Sequence, residues 1–243
     1  MTDAAPGTSA VRAPAPENAL GMALRFALIL FLFVLFFTSI LAAVQQWTRP
    51  VIEASLAEEK MRFINEVLPP ESFDNDLLAD TLVLPPAPEL GTKAPGTVYR
   101  ARKAGQDAAL VLEAVAPDGY AGEIRLLLGI SADGVITGVR VIAHQETPGL
   151  GDYIDPRKDK NRKNPWINQF TGLATPQISE SEWRVTKDGG RFAYRAGATV
   201  TPRAVVAAVK KAAHFAVREK ARLFAPAAEA SGTGNANGAA HDP

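Results

Sequence analysis

The spacing of apolar and polar positions changes character along the chain, and each change marks an element. From Phe26 to Val44 the run is apolar and uncharged, interrupted only by Thr38 and Ser39. Such a stretch is long enough to cross the hydrocarbon core of a bilayer as a helix. Arg25 stands at its start, and Trp47 and Arg49 fall where an interfacial belt lies. The expected anchor is therefore residues 20–47. A cleaved signal peptide is the rival reading, because Ala42 and Ala43 follow the run, although a signal's apolar region is usually shorter. Basic residues flank both ends (Arg12 and Arg25 before, Arg49, Lys60 and Arg62 after), so charge does not decide orientation.

After the anchor the pattern turns helical. Ile52, Leu56, Phe63, Ile64 and Val67 recur near the 3.6-residue period, and Pro69-Pro70 ends the run, which predicts a helix over 51–68. Residues 71–96 read as loop, with prolines at 85, 86, 88 and 95, so 50–96 is expected to be a helix-and-loop linker. The pattern then becomes β-like over 97–103, 108–116, 120–130 and 135–143. The separators Gly105-Gln106-Asp107, Pro117-Asp118-Gly119 and Ala132-Asp133-Gly134 form turns too short for parallel crossovers, so the sheet should be an antiparallel meander. Residues 144–182 lack a period, and 183–186 suggest one more strand. A strong amphipathic helix is predicted over 202–223, with Thr201 as N-cap and Pro202 at the first helical position. The Ala/Pro/Thr-rich residues 1–18 and the Ala/Gly/Pro/Asn-rich residues 225–243 read as disordered tails around a folded domain at 97–223. The fold class is α+β, with one N-terminal transmembrane helix, an antiparallel sheet and helices packed on it.

Composition narrows the chemistry. Lys+Arg and Asp+Glu are equal at 26, which argues against a nucleic-acid partner. The absence of cysteine excludes disulfides, thiolate zinc sites and iron–sulfur clusters held by this chain. Three histidines (His144, His214, His241) make a histidine-built metal site a poor expectation, so no metal site is assigned. Any redox chemistry must come from an organic cofactor.

Two segments look like parts of a site. His144-Gln145-Glu146-Thr147-Pro148-Gly149-Leu150-Gly151 follows a predicted strand and suggests a fixed backbone that something approaches closely. Ala196-Gly197-Ala198-Thr199-Val200-Thr201-Pro202 places small residues and a threonine just before a helix, where unpaired N–H groups and the macrodipole suit a phosphate. Taken singly, each is equally an ordinary turn or an ordinary helix start.

Together they resemble the FMN-binding domain shared by the G subunit of the Rnf electron-transport complex and the C subunit of the sodium-translocating NADH:quinone reductase, the Rnf G subunit being the nearer. The resemblance rests on the anchor, on ETPGLG at 146–151, on Trp166-Ile167-Asn168-Gln169-Phe170-Thr171-Gly172, on Lys187-Asp188-Gly189-Gly190 and on GATVTPRAVV at 197–206, and it covers most of residues 20–220. It implies an FMN esterified through its phosphate to Thr199, within a motif that includes Gly197 and Ala198. A dedicated flavin transferase would install it outside the cytoplasm. Glu146, Thr147, Gly149 and Leu150 are the further expected cofactor contacts. Ala196 stands where the family usually has Ser or Thr, and Ala193 where an acidic residue is common.

The resemblance further implies a single-pass protein of the bacterial inner membrane, its folded domain on the periplasmic side. Such a protein relays electrons within a complex that couples electron transfer between ferredoxin and NAD to ion translocation. Its partners are the complex's other membrane and peripheral subunits, the transferase and membrane lipid. The isolated chain carries no catalytic residues and no complete activity of its own. A membrane-anchored sensory or assembly domain without electron relay is the alternative.

Four further features are weighed from the residues themselves. His144 is expected to be structural, since no carboxylate pairs with it in sequence. Asp152 and Asp155 are expected to be solvated. The basic run from Arg157 to Lys163 is expected to be a surface loop, with a partner or acidic lipid as its rival use. Trp166 and Phe170, four apart, are expected to anchor their loop to the core.

Overall fold

The computed structural model describes residues 19–225, and the two expected tails, 1–18 and 225–243, lie outside it except for Ala225. The described chain divides into two compact units after Leu56. Helix α1 is assigned Ala19–Val67. Within it lies a candidate membrane span, Leu20–Arg49, whose most apolar 18-residue window has a mean hydropathy of 2.9 and is not buried. Thirty residues of helix rise about 45 Å, more than the roughly 30 Å of a hydrocarbon core. The hydroxyls of Ser39 and Thr48 donate back to the carbonyls of Leu35 (2.7 Å) and Val44 (2.8 Å), so neither polar group is left unsatisfied. One helix, Ala19–Val67, takes in both the expected anchor and the helix expected over 51–68.

The second unit is built on a five-stranded antiparallel meander in the order β1-β2-β3-β4-β5. The strands are β1 Thr81–Leu84, β2 Gly96–Lys103, β3 Gln106–Ala116, β4 Ile124–Ser131 and β5 Ile136–Ala143. Four of them match the sequence pattern. Strand β1 does not, because four residues followed directly by Pro85-Pro86 carry too little alternation to stand out. Strand β4 begins later than expected, since Gly122 adopts φ 142 just before it. The expected strand at 183–186 reduces to a single bridge, Val185 to Phe192, followed by a 3-10 turn at Thr186–Asp188.

The near-continuous apolar runs of β3 and β4 have a simple cause: both faces of the sheet are covered. Leu110, Leu112, Leu126, Leu128 and Ile130 face the larger core, which holds helix α2 (Val200–Arg218), the short helix α3 (Lys220–Phe224) and the aromatic residues of the irregular segment. Ala109, Val111 and Leu127 face a smaller core with Ile64, Val67, Leu68 and Leu77. Residues 57–96 are therefore part of the folded unit rather than a linker: they supply an edge strand and the cover of one face. That cover fits because Gly129 and Gly138 are paired in register across β4 and β5 and leave a notch, in which the Val67 carbonyl accepts the Thr137 hydroxyl at 2.6 Å. Arg100, 5 % exposed, is paired with Asp80 at 2.6 Å, and Arg102 reaches both Asp80 (2.9 Å) and the Phe224 carbonyl (3.0 Å), tying the end of α3 to β1 and β2.

Candidate functional site

The two segments singled out in the sequence meet at the start of α2. The loop after β5 is closed by the N–H groups of Leu150 and Gly151, both 3.1 Å from the Thr147 carbonyl, and by the Gly149 N–H, 2.9 Å from Asp152. Glu146 is its keystone. It is 4 % exposed; one carboxylate oxygen accepts the Ala121 N–H at 3.2 Å and the other accepts the Thr201 hydroxyl. Its own N–H donates to His144 Nδ1 at 3.1 Å, which ties the His144 ring to the start of the loop. A Cβ on Gly151 would lie 2.6 Å from the Glu146 carboxylate and 2.7 Å from the Thr201 hydroxyl, so the loop closes over this pair only without a side chain there.

The second segment is a tight turn from Arg195 to Ala198, closed by the Ala198 N–H on the Arg195 carbonyl (3.2 Å). It needs φ 88 at Gly197, a conformation natural to glycine. Thr199 then occupies the N-cap position of α2. This corrects the expectation for Thr201, which lies inside the first turn, buried, with its hydroxyl spent on Glu146. Thr199 itself has φ −91, ψ −27 and makes no side-chain cap bond, so its hydroxyl is not consumed by the helix it begins.

Between the two segments lies a cleft of 370 Å³ that opens on Thr199. Every expected site residue except Gly149 lines it: Glu146, Thr147, Leu150, Gly197, Ala198 and Thr199. Tyr120, Gly151, Lys187, Val200 and Thr201 complete the lining and were not assigned from the sequence. Lys187 belongs to the Lys-Asp-Gly-Gly motif at 187–190, whereas Tyr120, read as the first residue of a strand, gave no signal. Three apolar side chains stand open at the rim, Tyr120 at 71 % exposure, Leu150 at 51 % and Val200 at 43 %. Exposed apolar side chains gathered at one cleft mark an interaction site. Lys187 brings a positive charge to the same place. Its neighbour Asp188 is held by both Nε (2.6 Å) and a terminal nitrogen of Arg203, which fastens the 186–188 turn to α2. A larger hollow of 410 Å³, lined by Trp183, Val185, Asp188 and Arg203 among others, holds none of the expected site residues.

A family model described as FMN-binding domain matches residues 119–214, and one described as RnfG N-terminal region matches 20–67. The chain is 48 % identical over 204 residues to the G subunit of the ion-translocating oxidoreductase complex of Pseudomonas aeruginosa (strain UCBPP-PA14), covering 84 % of this chain and 92 % of that one. The protein of the same description from Shewanella baltica (strain OS223) is 44 % identical over 196 residues, covering 81 % and 90 %. The chain belongs to this G-subunit family. As a G subunit it carries an FMN-binding domain, and the whole cleft falls within the 119–214 match. With the span at Leu20–Arg49, this member of the G-subunit family is anchored in the membrane through that one helix among the described residues.

Behind the cleft, the carboxylates of this G subunit depart from what the sequence suggests. Asp155 is buried rather than solvated and is held by Arg157, whose Nε lies 3.1 Å away. The basic run is an exposed loop as expected, except that Asp159 within it is buried and accepts the N–H groups of Trp166 (2.7 Å) and Asn161 (2.9 Å) and the guanidinium of Arg195. Trp166 and Phe170 are core residues, in an edge-to-face contact at 5.6 Å. Burial works against ionisation of both aspartates. It is outweighed by Arg157 at Asp155, and by the Trp166 and Asn161 N–H groups and Arg195 at Asp159, so both titrate below the ordinary carboxylate range. A depressed folded-state pKa contributes stability that is complete above the unfolded value and lost as pH falls through the folded one. The melting temperature should therefore fall on the acid side, below the ordinary aspartate value of 3.8, and Asp159→Asn should flatten that limb. An unchanged acid limb in the variant would show that Asp159 is not ionised in the fold.

Proposed function

We propose that this chain is the one-cofactor electron relay of an ion-translocating oxidoreductase complex, with FMN joined to the Thr199 hydroxyl through a phosphoester. The observation that carries this reading is the Thr199 side chain: it opens on the cleft, makes no cap bond, and stands at the N-terminus of a 19-residue helix beside Lys187. The unpaired N–H groups and dipole of a helix start favour an anion at that point, and Lys187 adds a full charge. The exposed faces of Tyr120, Leu150 and Val200 suit a planar ring system. The residues present thus fit FMN. Bound, the flavin supplies the electron-transfer chemistry; the chain binds it, orients it and keeps it from dissociating between turnovers. Glu146 contributes by fixing the loop rather than by offering a free carboxylate, since both oxygens are engaged within the protein. Gly149 shapes the loop from outside the cleft.

The same reading places the folded unit on the periplasmic side of a bacterial inner membrane, modified there by a flavin transferase, among the other subunits of an Rnf-type complex that links ferredoxin and NAD. A reporter fused after Pro243 should be active only outside the cytoplasm; cytoplasmic activity would overturn the orientation. The attachment is tested by producing the full chain with its transferase and viewing flavin fluorescence on a denaturing gel. Lys187→Glu should label about 10-fold more slowly, equivalent to about 1.4 kcal/mol in the barrier, with the deficit shrinking at high salt. Labelling at the unaltered rate would remove Lys187 from the site.

A further inference from the structure

The turn that presents Thr199 has little of its own to hold it. Ala196 and Gly197 are exposed, Gly197 carries no side chain, and the turn has one internal hydrogen bond. Its rigidity comes from elsewhere. Just before it, the Ala193 N–H donates to Gln169 Oε1 at 2.8 Å and the Ala193 carbonyl accepts Trp166 Nε1 at 2.6 Å. At the turn, the Tyr153 hydroxyl lies 3.4 Å from both the Arg195 N–H and the Ala198 carbonyl. These are long bonds, weak alone. The firm element is Arg195, whose guanidinium sits 4.4 Å from the centre of the Tyr153 ring and donates to Asp159, a carboxylate only 2 % exposed. One cation thus binds a buried anion and an aromatic face at once, directly at the start of the acceptor turn.

We infer that Asp159, Arg195 and Tyr153 form a positioning device that sets where the Thr199 hydroxyl stands for flavin attachment. None of the three lines the cleft, so each acts through the turn rather than from the cleft wall. The inference rests on the reading of Thr199 as the acceptor. Joining a hydroxyl to free FMN means expelling water, which is unfavourable in solution, so the donor must be a flavin nucleotide with an anhydride, such as FAD. The Thr199 Oγ–phosphorus bond forms and the anhydride P–O bond breaks. The nucleoside monophosphate departs with the bonding pair, and the hydroxyl proton passes to the transferase or to water. No electrons are gained or lost overall. Such a displacement needs the oxygen in line with the leaving group, and a misplacement of about 1 Å costs on the order of 100-fold.

The deciding experiment measures initial rates of covalent flavin transfer from FAD to the full-length chain by the transferase, read as in-gel fluorescence and as the mass of the chain. Arg195→Met should lower the maximal rate about 10- to 100-fold while leaving unchanged the FAD concentration giving half that rate, because donor binding belongs to the transferase. Arg195→Lys should recover part of the rate, since it restores the charge to Asp159 without the planar stack. Asp159→Asn added to Arg195→Met should cost little more, as expected of groups acting as one unit. A wild-type rate in Arg195→Met, or losses that simply add, would overturn the positioning role. Should Arg195→Met fail to accumulate folded, Arg195→Lys decides: a several-fold loss at an unchanged melting temperature supports the device, and a wild-type rate sinks it. Thr199→Ala is the control for the underlying reading. A fluorescent Thr199→Ala chain means the acceptor is misassigned, an outcome distinct from a failure of the positioning claim.

Discussion

Thr199→Ala should abolish covalent flavin, leaving a dark band on a denaturing gel at a level of protein equal to that of the unaltered chain. The change removes a hydroxyl that makes no cap bond and the methyl of a half-buried side chain, so the start of α2 loses no side-chain hydrogen bond and stability should move by no more than about 0.5 kcal/mol. This separates the variant from ordinary cap deletions, in which a lost hydroxyl typically costs about 1 kcal/mol. The total loss of label against near-constant stability is what makes the variant informative. Thr199→Ser keeps the nucleophilic oxygen and should retain label, at a reduced rate because the β-branch that restricts the side-chain rotamer is gone. Thr201→Ala is the contrasting neighbour. It strips the buried Glu146 carboxylate of a hydroxyl donor and should cost stability while leaving the acceptor in place.

The second large effect is on the fold. Gly138→Val should destabilise the full chain by about 3 kcal/mol or more, lowering its melting temperature in detergent by about 6–12 °C. A Cβ at Gly138 would lie 2.7 Å from the Val67 Cα and 2.9 Å from its carbonyl oxygen, and one at the facing Gly129 would lie 2.5 Å from that same oxygen. Both encounters are with backbone at the last turn of α1, which cannot swing away as a side chain would. Relief would have to come from lifting Ile64, Val67 and Leu68 off the sheet, which would expose the smaller core. A Gly138→Val chain melting within about 2 °C of the unaltered one would mean that the end of α1 does not seat in the notch.

The parts of this structure that the sequence disclosed are those with a strong period or a recognisable motif. Strands β2 to β5 and helix α2 stand out because β-forming runs bounded by turn residues, or helical spacing, persist over eight residues or more. The cleft was legible through two motifs rather than through any single residue, and all but one of its expected residues meet there. What escaped has local causes. Strand β1 is four residues long, and its partner β2 supplies most of the signal for the pair. Thr201 looked like a cap because Pro202 follows it, yet the helix starts earlier and the Thr201 hydroxyl is drawn to a buried carboxylate 55 positions away in the chain. Asp159 looked like one more charge in a basic run. Its burial depends on N–H groups from Trp166 and Asn161 and on Arg195, contacts that no spacing rule encodes. Tyr120 is an exposed aromatic, and only its nearness to Leu150 and Val200 gives it meaning.

The central claim concerns one oxygen atom, and peptide mapping reaches it directly. Trypsin cuts after Arg195 and Arg203, releasing residues 196–203 with Thr199 and Thr201 as the only hydroxyl-bearing side chains. From the full chain produced with its transferase, this peptide should be heavier by one FMN less one water, with fragmentation placing the added mass on Thr199. An unmodified peptide, accompanied by flavin that leaves the protein on denaturation, would contradict the account, as would the added mass on Thr201.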